Sequence, residues 1–454
     1  KSIESADSRN WTITLLAERT FTDGTPVDAE SFVRAWQWAA ADPELPNQHW
    51  FVEVIPFVGA TAEGGEDTLA LEVTGELTFT VELAAPRADF PAALGQPAFL
   101  PLPDAFFDDP DAFGRAPIGN GPHALAEDGW VPGQRLSLVR NEAYRGPREA
   151  RNDGIDLIVY SSPGAAYADL VSDHVDIVGS IPAGVLASYH ADLGERAVER
   201  GTAWIEALAI PYGLPHFGND QEGRLRRAAL SHAIDREGIV AALFAGTRLP
   251  AAEFAPPVIA GQEIGGIVGS RVLSHDADRA VELWDQAEAI RPWEGSLAIA
   301  YDAGSGDGAW AERIAAQLAD VLGIEAVGVP YPDPEALRAE IDGGAIAAAF
   351  PSTWRLDFPS RGDALDALYT SGAAANDSGF SNADVDQLVR AGLAAPTVEE
   401  QEVYLDRAQA ELFTELPALP LWHGALAAGF SARVGGVEFG WDGLPILHAV
   451  VAPA

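Results

Sequence analysis

The chain has 454 residues, 48% of them hydrophobic and 12 of them tryptophan, so it is a globular protein with more than one core and not a disordered segment. Acidic residues outnumber basic ones 68 to 28, a formal net charge of −40, and such a surface repels nucleic acid and anionic lipid. There is no cysteine, which excludes disulfides, a thiolate nucleophile and cysteine-ligated metal; there is no methionine either, and Lys1 is the only lysine.

Taken in order, Trp11 to Leu15 alternates as a strand does, and Phe21-Thr22-Asp23-Gly24-Thr25-Pro26 reads as a tight turn. A helix is predicted from Asp28, its N-cap, with Phe32, Val33, Ala35, Trp36 and Ala39 on one face. Strands are predicted at Leu69–Val73, Thr78–Leu83, Leu136–Arg140, Asp156–Tyr160 and Val175–Val178, with a short helix over Ala165–Val171. An amphipathic helix runs on from Leu225 until Asp235-Arg236-Glu237 interrupts it, and apolar residues resume at Ile239. Ser274–Ala289 and Ala309–Leu322 read as helices around a strand at Leu297–Tyr301, with Gly323 as C-cap of the second. Helices follow at Asp386–Leu393 and Val398–Leu416, then an extended exit from Pro417 to Trp422. Strand, helix and strand in this order suit an α/β fold.

One stretch organises the rest. The apolar run Ile346–Phe350 reads as a buried strand that ends in Ser352, Thr353 and Trp354, followed by Arg355, Asp357, Phe358 and Pro359. Asp357 then sits just past a core strand beside aromatic surface, which suits a cationic group on a small ligand; on composition alone the plainer reading, a strand-end turn whose aspartate caps a backbone amide, is the stronger. No catalytic set is visible: there is no Gly-x-Ser-x-Gly elbow, no His-Glu-x-x-His and no phosphate loop. Gly304-Ser305-Gly306-Asp307-Gly308 lacks dinucleotide spacing and reads as a strand-to-helix turn, and the histidines stand singly, so no metal or cofactor is expected. No stretch has the length and apolarity of a transmembrane helix, and no signal peptide is visible.

Read together, several stretches resemble the large solute-binding proteins of peptide ABC importers, family 5. They are "WTITLLAERTFTDGTPVDAESFV", "PIGNGPHAL", "LSLVRNEAYRG", "AYADLVSDHVDI", "LRRAALSHAIDREGIVAALFAG", the Trp354–Pro359 stretch, "GFSNADVDQLV" and "LPALPLWHG", in the family's order along nearly the whole chain. The resemblance implies a two-lobe periplasmic-binding (flytrap) fold of the α/β class, with an extra third domain and two hinge strands. Mapped here, residues 1–134 are the extra domain inserted in lobe 1, 135–205 lobe 1, 206–423 lobe 2 and 424–454 the return to lobe 1, with crossings near Trp204–Ile210 and Pro417–Trp422.

The resemblance also implies function: a non-enzymatic, monomeric subunit that captures oligopeptides or dipeptides and delivers them to membrane permease subunits. It implies an extracytoplasmic location, lipid-anchored or periplasmic. The same scaffold holding a sugar, a metal chelate or another solute is the alternative. Relatives carry a segment before Trp-Thr-Ile-Thr that supplies the first strands of lobe 1, and a lipid-anchored cysteine further upstream; this chain starts without them, which is expected to leave a sheet edge open. Many relatives read Trp-x-Ala-Asp-Tyr-Pro-Asp-Pro where Trp354-Arg355-Leu356-Asp357-Phe358-Pro359-Ser360-Arg361 stands, so the second acid is absent. In peptide binders of the family the retained aspartate pairs with the ligand's α-ammonium, a role that falls to Asp357. Trp354, Phe358, Arg355, Trp422 and Trp50 are the other expected ligand-binding residues.

Overall fold

The structure is a computed structural model that describes residues 1–65, 68–256 and 266–452. The chain forms two compact units: residues 1–198, 393–398 and 427–454 make the first, and residues 199–392 and 399–426 the second.

In the first unit β1 (Ser2–Ser5), β2 (Asn10–Thr14), β3 (Leu71–Gly75) and β4 (Thr78–Glu82) form an antiparallel sheet in the order β1-β2-β4-β3. Alternation puts Trp11, Ile13, Phe79 and Val81 on its buried face. The helix Ala29–Ala41 packs there through Trp36, whose ring meets Phe51, Phe57, Phe79 and Phe99 and whose Nε1 donates to the Phe99 carbonyl, 3.1 Å. Its N-terminus is set as expected: the Asp28 carboxylate accepts from the Ser31 amide and the Ser31 hydroxyl reaches back to the Asp28 amide. A second antiparallel sheet joins β5 (His123–Val131), β6 (Arg135–Arg140) and β7 (Gly154–Ile158) in that order. The strand expected over Val175–Val178 shrinks to β8 (Ile177–Val178).

In the second unit β9 (Ala197–Ala209), β10 (Arg248–Pro250), β13 (Phe350–Arg355) and β14 (Ala418–Phe430) align as β10-β14-β9-β13, while β11 (Ser296–Asp302) and β12 (Glu325–Tyr331) pair in parallel. The chain leaves the first unit inside β9, at Val198/Glu199, and returns inside β14, at Leu426/Ala427; Gly429 and Phe430 then pair with β8. The helices Gln221–Ala233 and Arg236–Leu243 are separated by Asp235, whose carboxylate caps the second by accepting from Gly238 N–H, 2.9 Å. Gly323 ends the helix Gly308–Leu322 in a left-handed conformation, φ 67°, that costs a glycine little.

One expectation is corrected. The apolar run Ile346–Phe350 is not the strand; β13 starts at Phe350, and only Ala349 before it bridges to Ile299 of β11. Ile346, Ala348 and Phe350 are apolar because they pack with Ala209, Ala300 and Leu337. Pro351, without an N–H, is accommodated because β13 pairs with β9 on one side and lies at the end of the strand order.

Buried arginines tie the second unit together. The Arg236 guanidinium donates to the carbonyls of Ser231, 2.9 Å, Leu273, 2.8 Å, and Pro420, 2.7 Å. Arg361 opens the helix Arg361–Tyr369 and pairs with Glu253, Asp406 and Glu402, its side chain 5% exposed. Removing Arg361 leaves the buried Glu253 without this cation, so Arg361→Leu should lower stability by about 3–5 kcal/mol. Urea unfolding of the variant checks this, and a loss below about 1 kcal/mol would show that the acids find water instead.

Candidate functional site

The β9–β13 register builds the site. Thr353 lies opposite Glu206, Trp354 opposite Ile205 and Arg355 opposite Trp204. Directly opposed residues of antiparallel strands share a face, so Trp204, Glu206, Thr353 and Arg355 stand on one side of the sheet, and Ile205 and Trp354 on the other. The sequence grouped Trp354 with Arg355; the pleat separates them.

Past the end of β13 the chain is held by one buried side chain. Asp363, 5% exposed, lies in the first turn of the helix Arg361–Tyr369, where the helix dipole favours an anion. Its Oδ2 accepts from the Trp354 indole Nε1 and from the Asp357 backbone N–H, both at 3.0 Å. Trp354 and Asp357, each half-buried, are thereby brought together in one turn. Arg355 is exposed.

Three expected residues are placed elsewhere. Phe358 is fully buried and anchors the turn from the core side. Trp422 is also fully buried, against Phe244, 5.0 Å, and Trp310, 5.4 Å between ring centroids. Trp50 belongs to the aromatic core of the first unit, 5.9 Å from Phe99. Tryptophans are the largest apolar side chains, and these two are used for packing.

The face that carries Glu206 holds a group the sequence did not single out. Glu206 is 4% exposed, and its Oε2 accepts from Trp422 Nε1 at 2.6 Å. Burial, and then the neighbouring Asp307 charge, push its carboxyl up to about 7; the Trp422 indole and the Arg248 charge offset part of this. Asp307 accepts from Trp310 Nε1, 3.1 Å. The Arg248 guanidinium lies 4.3 Å from the Trp204 ring centroid and 5.2 Å from that of Phe244. A Cβ at Gly424 would come within 2.9 Å of the Trp204 ring, so the glycine lets that indole lie against β14. Glu206 sits in an apolar run, and its partners are distant in the chain, so no local spacing signals this group.

Among the described residues, no three His, Asp or Glu side chains converge to hold a metal ion. No helix among the described residues is long and apolar enough to cross a membrane.

His423, 1% exposed, neighbours Trp422 on β14, and among the described residues neither of its ring nitrogens has a hydrogen-bond partner. Burial holds its pKa down to about 4, against 6.5 for the free side chain. The neutral ring's contribution to stability is therefore complete above pH 6.5 and is lost as pH falls from there towards 4. At pH 5 the loss is roughly 2 kcal/mol. Glu206 acts in the opposite sense: its protonated form stabilises the fold below its free value of 4.5, and that contribution fades as pH rises through about 7. His423→Leu should flatten the acid branch of a stability–pH curve between pH 6.5 and 4, read by urea unfolding at a series of pH values; an unchanged slope would show that the imidazole is not the group being titrated.

Comparison with known proteins agrees with the fold. The chain is 22% identical over 451 residues to the dipeptide-binding protein DppE of Bacillus subtilis, covering 92% of this chain and 76% of that protein. It is 24% identical over 270 residues to the oligopeptide-binding protein OppA of the same organism, covering 57% of this chain and 48% of OppA, so the match spans about half of that relative's length. The unliganded periplasmic murein tripeptide binding protein MppA superposes with a TM-score of 0.86 at 21% identity, covering 100% of this chain and 88% of that one. The architecture is thus the two-lobe solute-binding fold with mixed helices and strands. Residues 1–376 match the model of the bacterial extracellular solute-binding proteins, family 5 (middle), and the chain belongs to this family.

Proposed function

We propose that this protein is the peptide-capturing subunit of an ABC importer, with the α-ammonium of the peptide held at Asp357. The observation that carries this reading is the turn fixed by Asp363, which presents a half-buried carboxylate and a half-buried indole at one strand end. A peptide's α-ammonium loses water on binding, and burying it without an anion would cost several kcal/mol. The indole supplies an apolar wall and a π face towards the cation. The names of the relatives, dipeptide- and oligopeptide-binding proteins, point to the same ligand class. Arg355 is exposed and free to serve a ligand carboxylate. The importer's membrane subunits are the proposed partners, and a lipid-anchored or periplasmic location on the outer side of the membrane is the proposed setting.

Asp357→Asn keeps the shape and removes the charge. It should weaken peptide binding by about 2–5 kcal/mol, as for other broken buried charge pairs. N-acetylating the peptide should cost wild type a comparable amount, and the two losses should not add, because each deletes the same interaction. Calorimetry on the four combinations is the measurement. Acetylated peptide binding wild type as well as free peptide would sink the reading and favour a non-peptide solute. Native mass spectrometry of the purified protein separates these further: a ladder of peptide masses against one discrete mass.

A further inference from the structure

We propose that Glu206 reads a cationic group of the ligand, an ammonium or guanidinium that docks against its unengaged carboxylate oxygen and takes the place of a proton. This rests on the peptide reading, in which the cation is a lysine or arginine side chain.

Three observations support it. First, among the described residues the Trp422 indole is the only hydrogen-bond partner of Glu206, and it engages Oε2 alone. A carboxylate this enclosed is stable in two ways: protonated, or paired with a cation. Second, the basic group next to it does not pair with it. Arg248 lies against Trp204, its Nη1 donates to the Thr247 carbonyl at 2.8 Å, and its Nε has no partner among the described residues, so it acts on Glu206 through space. Third, the same sheet face is open beside Glu206: Thr353 opposite it and Arg355 are exposed, and Trp204 is half-buried. A cation approaching along this face meets an indole and a carboxylate together.

The charged groups around Glu206 are few. Asp307, at the start of the helix Gly308–Leu322, adds a negative charge, and Arg248 of β10 adds a positive one. Arg355 of β13 shares the face but is exposed and screened by water. From β14, Trp422 contributes no charge, and the helix Arg236–Leu243 is followed by Phe244, also uncharged. With Glu206 and Asp307 ionised against Arg248, the group lacks one positive charge. A proton supplies it in the free protein and the ligand supplies it in the complex. On binding, the Glu206 O–H bond breaks, the electron pair stays on the carboxylate, and the proton passes to buffer.

The test uses two peptide pools of equal length, identical except that one carries lysine where the other carries norleucine. Calorimetry at pH 7 is run in two buffers of different ionisation enthalpy, on wild type and on Glu206→Gln. The expected result is at least tenfold tighter binding of the lysine pool to wild type, with release of about half a proton per peptide. The norleucine pool should release none. In Glu206→Gln both the preference and the proton release should vanish while the norleucine pool still binds. Equal binding of the two pools by wild type, or lysine preference without proton release, overturns the proposal and leaves the peptide reading standing. Failure of both pools to bind wild type overturns both. The wild-type proton measurement decides even if the variant does not fold.

Discussion

The site depends first on the antiparallel register of β13 against β9. The side-chain period of a strand is two, so a slip of one residue would move every side chain to the opposite face. Thr353 opposite Glu206 places Trp354 on the far side, where Asp363 receives its indole, and leaves Arg355 on the Glu206 side. The chain on either side of β13 opposes a slip. Ahead of it, Ala349 bridges to Ile299 on β11; behind it, the Asp357 amide is tied to Asp363. Phe350 and Phe358, both buried, anchor the two ends by packing.

Charge burial in the second unit follows two patterns. Arg236 and Arg361 are enclosed, but each is matched by carbonyls or carboxylates within hydrogen-bond reach. Arg226, fully buried, is held the same way by Glu222 and Glu288 and lies over the Trp284 ring. These arrangements satisfy every charge and serve the fold. Glu206 and His423 follow the other pattern: both are enclosed, and among the described residues one has a single neutral donor and the other no hydrogen-bond partner. Enclosed groups left short of partners cost stability, and such costs gather where a protein binds something. They lie near each other on adjacent strands, β9 and β14.

How much could be read from the sequence depended on the range of the forces involved. Caps were legible because their chemistry is local: Asp28 at a helix start and Gly323 at a helix end stand where residue type alone put them, whereas Asp235, read only as a helix break, proves to cap the helix that follows. Asp357 and Trp354 were legible as a pair because they are close in the chain. The limits of β13 were not, since tertiary packing of Ile346 and Ala348 imitates the apolar run of a core strand, while the strand itself carries Ser352, Thr353 and Arg355 towards open faces. The short strands β1 and β10 have no periodic signal and exist because longer partners template them. Trp422, Trp50 and Phe358 are buried in this structure. Their residue type suits either a core or a ligand wall, and only burial distinguishes the two.

The Arg236 guanidinium has a kinetic meaning beyond its hydrogen bonds. It joins the end of one helix at Ser231, the short 3-10 helix Ser270–Leu273 and the start of β14 at Pro420 through a single planar group. None of these segments can lift away alone without leaving a buried charge short of an acceptor. Opening any one of the helix pair, the 3-10 helix or the strand therefore carries the cost of that shared charge, which couples their local opening. A flexible lysine in the same place would present a point charge on a mobile stem and could not clamp three carbonyls in one plane. Arg236 thus acts as a non-covalent cross-link in a chain that has no cysteine to make a covalent one.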